Sequence, residues 1–430
     1  MRVLFCTTGG LGHLLPLRPL ARALHHRGHE VAWATAPDAL PVLEGEGFDL
    51  FAAGSTFEAS RRQFRAVFVE AARFAGETLS AYTFPRLFGA VLGPAMLKDV
   101  ERTGRHWRPD FVVHEPAALV APLVCRRLGL RNVVHGYGLR PPREYLEDAM
   151  SFFGPYWQAC GLEPSADGGL YRHLSLDIAP RSLQPLPVPE DKGVFRFNAY
   201  RAASTAPPAP PADLRAALQG PAAPRPRIYV TFGTVFNRSP ALVAAARAAA
   251  RVGGSVVVTI GADGDANCLA DLGAQVHVRR FVDQAALLPH CDVVVSHGGA
   301  GTMLGAAAHG VPHLVLPQAA DHFRNARAIE SAHAGSSMDP ERQTVALVAS
   351  ALAALLESGA LAIGAAAVAQ EMAALPDPVG AAAKLEHWQA AAPCHEPAYT
   401  GHGGVGVIRP AEAAGGAGRS RHIPASSESA

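Results

Sequence analysis

Two stretches of this sequence set a histidine among glycines where an apolar run gives way to a helical pattern. The first is Thr7-Thr8-Gly9-Gly10-Leu11-Gly12-His13-Leu14-Leu15-Pro16. Glycines at a strand end let the backbone turn sharply and approach a ligand closely. A dinucleotide fingerprint is excluded, because Gly10-x-Gly12 is followed by His13-Leu14-Leu15 and the third glycine is missing; Asp38 after the second strand does not replace it. His13 is then the informative residue. It lies on a strand-to-helix loop at the carboxyl edge of a sheet, where α/β proteins bind ligands. A helix N-terminus disfavours imidazolium, so a neutral ring able to accept a proton is expected. A capping or core histidine is the alternative, and the glycine context favours function.

The second stretch is Ser296-His297-Gly298-Gly299-Ala300-Gly301-Thr302, between a strand and a helix starting near Thr302. Small residues there expose successive backbone N–H groups, and the helix points its positive end at whatever binds. That suits a diphosphate, with His297 and Thr302 as side-chain donors. Thr231-Phe232-Gly233-Thr234 is a related element at another strand end. The remaining histidines, His290, His309 and His313, show no ligand spacing with supporting cysteines or carboxylates, so no metal is expected.

The elements that must position these residues follow from periodicity. Val3–Thr7, Glu30–Thr35, Asp110–His114 and Asn132–His135 read as short buried strands. Leu14–Arg27 reads as a helix that Gly28 stops. Strand, helix and strand in succession make a βαβ unit with a parallel sheet. Phe57–Trp107 is aromatic-rich and helical, an insertion over the carboxyl edge of that sheet. Ala202–Pro226 is a Pro-rich linker around one short helix at Asp213–Leu218. Strands resume at Ile228–Phe232, Ser255–Ile260, Gln275–Val278, Asp292–Ser296 and His313–Leu316. The expected organisation is a first α/β domain over 1–204, the linker over 205–226, a second α/β domain over 227–392, and a tail from 393 without apolar pattern, expected to be disordered. Two such domains place an active site in the cleft between them.

Composition narrows the class. In 430 residues, 49% are hydrophobic and 17% charged, enough to bury real cores. Lys+Arg 38 against Asp+Glu 37 gives a formal charge of +1, which argues against a nucleic-acid partner. The Ala-rich stretch Val345–Ala374 is broken by Glu357, Ser358, Gly359 and Gly364, so no membrane span is expected. The N-terminus is too short in apolar residues for a signal peptide. Six dispersed cysteines without a CxxC read as thiols of a reducing cytoplasm.

The quoted residues closely resemble the GT-B-fold, UDP-glycosyltransferase-like enzymes, particularly bacterial glycosyltransferases that decorate natural products. The resemblance runs to about residue 390 and includes Gly10-x-Gly12-His13-x-x-Pro16, Thr231–Thr234, Phe281-Val282-Asp283-Gln284 and the long run Val294–Ala326. It implies an α/β protein of two Rossmann-like domains with parallel sheets facing across a cleft. It also implies roles. His13 matches the base that deprotonates the acceptor hydroxyl, and Glu115 stands where many members have an orienting aspartate. Phe281, Val282 and Gln284 match the loop that holds the nucleotide base, with Phe281 where plant relatives have a stacking tryptophan. Gly12, Thr234, His297, Gly299, Ala300, Gly301 and Thr302 fall on the donor side around the diphosphate. Asp321 and His322 match an Asp-Gln pair that bonds the donor sugar, and Gly305 stands where plant members have a ribose-binding glutamate.

The reading is an inverting transfer of a sugar from a TDP- or UDP-sugar to a small apolar or aromatic acceptor, without a cofactor, in a protein compatible with a homodimer. Aromatics crowd two segments that could form the acceptor wall: Phe57, Phe64, Phe68, Phe74, Tyr82, Phe84 and Phe88, and Tyr137, Phe152, Phe153, Tyr156 and Trp157. Two alternatives stay open. One is a lipid-acceptor transferase, against which stands the lack of a basic or apolar docking patch in the sequence. The other is a non-catalytic helper of a glycosyltransferase, against which stand His13 and the intact donor turn.

Overall fold

A computed structural model describes residues 1–186, 193–201, 209–219 and 223–391. Seven strands form the first sheet: β1 (Arg2–Cys6), β2 (Glu30–Thr35), β3 (Asp49–Ala52), β4 (Phe111–His114), β5 (Arg131–His135), β6 (Leu174–Asp177) and β7 (Val194–Arg196). Six form the second: β8 (Arg227–Thr231), β9 (Ser255–Thr259), β10 (Val276–Arg279), β11 (Val293–Ser296), β12 (His313–Val315) and β13 (Gly335–Ser337). Among the described residues every pairing is parallel, so helices cover both faces and the central strands are buried and mostly apolar.

The strand orders are β3-β2-β1-β4-β5-β6-β7 and β10-β9-β8-β11-β12-β13. Each reverses at one place, between β1 and β4 and between β8 and β11. Ligands of open α/β sheets bind beyond the strand ends at such a reversal. The register aligns Cys6 with His114 and Thr231 with Ser296. The residues after β1 and β4, His13 and Glu115, are therefore neighbours, as are the Thr231–Thr234 and His297–Thr302 turns.

The central strands lie within a residue or two of their expected positions. The expected Leu14–Arg27 helix is instead a single turn, Leu11–Leu14, followed by the helix Arg18–His26, with Pro19 in its first turn. Pro16 separates the two, since proline is favoured only at a helix start. The helix after β11 starts at Ala300, two residues earlier than expected. The expected linker helix is present as Ala212–Leu214 and Arg215–Leu218, with Leu214 and Leu218 buried against Tyr229 and Val257 of the second sheet. Linker residues 202–208 and 220–222 and the tail beyond 391 lie outside the described residues.

The Ala-rich stretch forms two helices, Val345–Glu357 and Gly359–Ala374, bent by 71° at Ser358, whose hydroxyl caps the second. Among the described residues no single helix is long and apolar enough to cross a membrane. The last helix, Pro378–Ala390, follows the second sheet in sequence but packs on the helix Arg18–His26 of the first. Ala381, Ala382 and Leu385 are fully buried there in one apolar cluster with Val3, Phe5 and Leu20. Arg27 grips Glu386 with two hydrogen bonds of 2.8 and 2.6 Å, and Trp388 packs edge-on against Phe111. The two halves are thus tied by a shared core as well as by the linker.

Candidate active site

His13 sits in the one-turn helix after β1, with its ring 4.4 Å from that of Tyr137 and 5.4 Å from that of Phe88. An ideal Cβ at Gly10 would lie 3.0 Å from the His13 ring, and one at Gly9 only 2.4 Å from the Ala36 Cβ. Neither glycine has a positive φ. They are there for close packing, not for the unusual backbone turn that the motif suggested.

Glu115 is fully buried and held on every side. Its Oε1 accepts from the Thr8 N–H at 3.1 Å and the Thr8 hydroxyl at 2.9 Å, and its Oε2 accepts from the Ala117 N–H. Oε2 lies 3.3 Å from His13 Nδ1, a charge contact outside hydrogen-bond alignment. A solvent-facing carboxylate is thereby excluded. Burial alone would raise the Glu115 pKa, but His13 and the N–H donors hold it below the usual carboxylate range. Burial pulls the His13 pKa down, yet the Glu115 and Asp321 carboxylates outweigh it and raise it above the ordinary value. The direction is opposite to the lowering expected from the helix terminus: two nearby full charges exceed the pull of one turn of helix.

Across the cleft, Gly298 adopts φ +88°, and a Cβ there would strike Val315 Cγ1 at 2.6 Å. Gly299 precedes the helix Ala300–Ala308 and caps it with no side chain, which leaves the first N–H groups open to an anion. The His297 ring lies against Gly233 and Gly299; ideal Cβ atoms there would sit 3.0 and 2.5 Å from it. Burial pushes the His297 pKa down to about 3, so it offers a neutral N–H. Gln284 Nε2 donates to Thr302 Oγ1 at 3.0 Å, which ties the Phe281–Gln284 loop to this turn.

Asp321 Oδ2 accepts from Asn325 Nδ2 at 2.8 Å, and the same amide holds the Gly298 carbonyl at 2.8 Å. The two domains meet at this point. A Cβ at Gly138 would lie 2.4 Å from the Ala300 Cβ and 4.0 Å from Asp321 Oδ2. One cleft therefore gathers a histidine–carboxylate pair, a helix start with open N–H groups and a second carboxylate.

Comparison with known proteins gives the family. The family model described as the erythromycin biosynthesis protein CIII-like C-terminal domain matches residues 244–388. The elloramycin glycosyltransferase ElmGT of Streptomyces olivaceus is 34% identical over 397 residues, covering 90% of this chain and 97% of its own. This chain belongs to the GT-B, UDP-glycosyltransferase-like family of bacterial natural-product glycosyltransferases. The L-demethylnoviosyl transferase of Streptomyces niveus is 32% identical over 356 residues, covering 82% of this chain and 88% of its own. The structure of the Streptomyces sp. SF2575 glycosyltransferase SsfS6, complexed with thymidine diphosphate, is 25% identical with a TM-score of 0.70, covering 90% of this chain and 99% of that one.

In this glycosyltransferase Phe281 is 80% exposed, a free ring face beside the buried Val282. Gly12 and Thr234 are exposed beside the cleft turns, and Ala300 and Gly301 open the donor-side helix. Gly305, where plant relatives have a glutamate, faces Leu288 Cδ1, which would lie 3.1 Å from an ideal Cβ and would have to shift for a larger side chain. His322 is bound on one side by the backbone. Its Nδ1 accepts from the Gln318 and Ala319 N–H groups at 3.3 and 3.1 Å, and burial lowers its pKa to about 3. Only an Nε2–H donor remains for a ligand.

The acceptor aromatics divide. Phe88 and Tyr137 flank His13, and Phe84 and Tyr145 stand behind them. Phe153 and Trp157 are core, and Phe64 is buried. Phe57, Phe68, Val69 and Phe74 are exposed beside Arg61, Arg62, Arg65 and Arg73. This is an apolar and basic patch whose absence was expected. The sequence missed Thr8, Gly138 and Asn325. Only Asn325 carried a signal, four residues beyond Asp321 and so on the same helix face.

A His13 that acts as base must be neutral, so on that role kcat/KM should rise with pH through a value above the ordinary histidine pKa. Glu115→Gln removes the first carboxylate that raises it while keeping an acceptor. The rising limb should then move to lower pH, read from a pH–rate profile. An unmoved limb would show that Glu115 does not act on His13.

Proposed function

We propose that this glycosyltransferase inverts the anomeric centre while moving a sugar from a TDP- or UDP-sugar to a hydroxyl of an apolar or aromatic natural product. The observation that carries the reading is the His13–Glu115 pair facing Asp321 and the open start of the helix Ala300–Ala308 across one cleft. His13 takes the acceptor proton as the oxygen attacks the anomeric carbon. The bond to the diphosphate oxygen breaks on the opposite side, and the turn at 297–302 receives the leaving charge. That turn and the helix dipole meet the diphosphate without a metal in this reading. The thymidine diphosphate bound by SsfS6 favours a TDP-sugar. The dispersed cysteines fit a cytoplasmic enzyme.

The acceptor is proposed to lie between His13, Phe88 and Tyr137. A lipid-linked acceptor is the second reading, favoured by the exposed patch on the helices Phe57–Gln63 and Arg65–Ala71. Mass spectrometry of products from a panel of nucleotide sugars with aromatic and lipid-linked acceptors decides between them. A β-configured product from an α-linked donor supports inversion; retention overturns it.

The sugar is proposed to be a deoxy- or aminosugar. A glutamine would offer two donors and a carbonyl, whereas His322 presents one donor only, so it demands less of the hydroxyl pattern. His322→Gln should shift the ratio of specificity constants toward UDP-glucose and away from TDP-deoxysugars. A wild-type preference for UDP-glucose, with no shift in the variant, would make this role of His322 wrong.

A further inference from the structure

The insertion carries one helix whose contacts reach both halves of the site. The helix Gly76–Phe84 starts at Gly76 with φ +60° and continues into a wider π-helical segment, Pro85–Leu92. That segment sets Phe88 against the His13 ring. Such π-helical turns recur at functional sites. At its other end the helix crosses the cleft. The Ser80 hydroxyl donates to the Ala320 carbonyl, and Glu77 pairs with Arg327. Tyr145 in turn holds the Glu77 carbonyl at 3.2 Å.

Ala320 is an unusual anchor. It adopts φ +53°, a left-handed conformation that costs a non-glycine residue free energy. It directly precedes Asp321, the first residue before the helix His322–Ser331. Surrounding contacts must hold a residue in such a conformation, and the Ser80 hydroxyl, from a 6% exposed side chain, supplies one from the other domain. Glu77 and Arg327 are half-exposed and screened, so the hydroxyl is the stronger grip.

We propose that Ser80 is a positioning residue for sugar transfer: through the Ala320 carbonyl it sets the loop that presents Asp321, while the continuation of its helix sets Phe88 on His13. The acceptor wall and the donor-sugar loop are thereby aligned by one element. The proposal rests on the donor-side reading above and assigns a part to residues outside the family motifs.

Ser80→Ala tests it in the full chain. Losing one net hydrogen bond should lower kcat/KM for the nucleotide sugar about two- to tenfold. Discrimination between donors that differ in the hydroxyl facing Asp321 should narrow. Affinity for free thymidine diphosphate and the melting temperature should stay unchanged, because the 297–302 turn has its own contacts. Ser80→Thr keeps the hydroxyl and should restore both rate and selectivity. Wild-type kcat/KM and selectivity in Ser80→Ala overturn the proposal, as does an equal loss of nucleotide affinity or thermal stability, which marks a merely structural role. Wild-type enzyme that transfers no sugar from any donor overturns the functional reading itself, a result distinct from either.

Discussion

His13→Ala is expected to lower sugar transfer by about 10²–10⁴-fold, the usual worth of a positioned general base. Nδ1 of His13 faces Glu115, which leaves Nε2 as the atom that would take the acceptor proton in the proposed reaction. In that reaction Glu115 would also stabilise the imidazolium, because it is buried, ionised and unable to turn away from its three donors. Those donors matter for interpreting the variant. Removing the ring leaves Glu115 still hydrogen-bonded, so the fold should tolerate the change and the loss should be catalytic. Affinity for a nucleoside diphosphate should persist, since the diphosphate turn lies in the other domain. The rising limb of the pH profile should vanish with the ring. Near-full turnover by the variant, or an unchanged acid limb, would sink the assignment.

The parts of this site that were legible in the sequence are those written locally. β1, β4, β8 and β11 are buried on both faces and read as continuous apolar runs, so the turns after them could be found. β3, β7 and β13 escaped because edge strands owe their form to a neighbour more than to their own residues: Gly335-Ser336-Ser337 has no apolar side chain at all. β6, Leu174-Ser175-Leu176-Asp177, is four residues long and half polar. The upward direction of the His13 pKa was not visible for a related reason. The local helix was visible, whereas Glu115 and Asp321 reach the ring only through the sheet register and the closed cleft. The single donor left on His322 depends on backbone N–H groups of Gln318 and Ala319, which any residues would supply. The glycines were read correctly as places of close approach, but what approaches Gly9, Gly10 and Gly299 first is a neighbouring side chain of the protein itself.

That last point decides what Gly299→Val should do. The backbone at Gly299, φ −61° and ψ 139°, is open to any residue, so the substitution is not resisted by conformation. It is resisted by His297, whose Nε2 would lie 2.5 Å from the new Cβ. The ring is packed beside Phe232, Phe236 and His322, with ring centroids 5.9, 5.8 and 4.5 Å away, and is backed by Gly233, so it can yield only toward the donor site. Valine therefore displaces the His297 donor and covers the helix start with its methyl groups. Losing two charge-assisted hydrogen bonds at about 1.5 kcal/mol or more apiece corresponds to about a 100-fold or greater fall in nucleoside diphosphate affinity. Calorimetry with thymidine diphosphate measures it, and unchanged affinity would mean that the phosphates sit elsewhere. The cause can be separated from mere crowding of the helix start. If displacement of the ring is responsible, Gly299→Val should cost less in a His297→Ala background than in the wild type, because the shared contact makes the two changes non-additive. Equal costs in both backgrounds would assign the effect to the valine methyl groups alone.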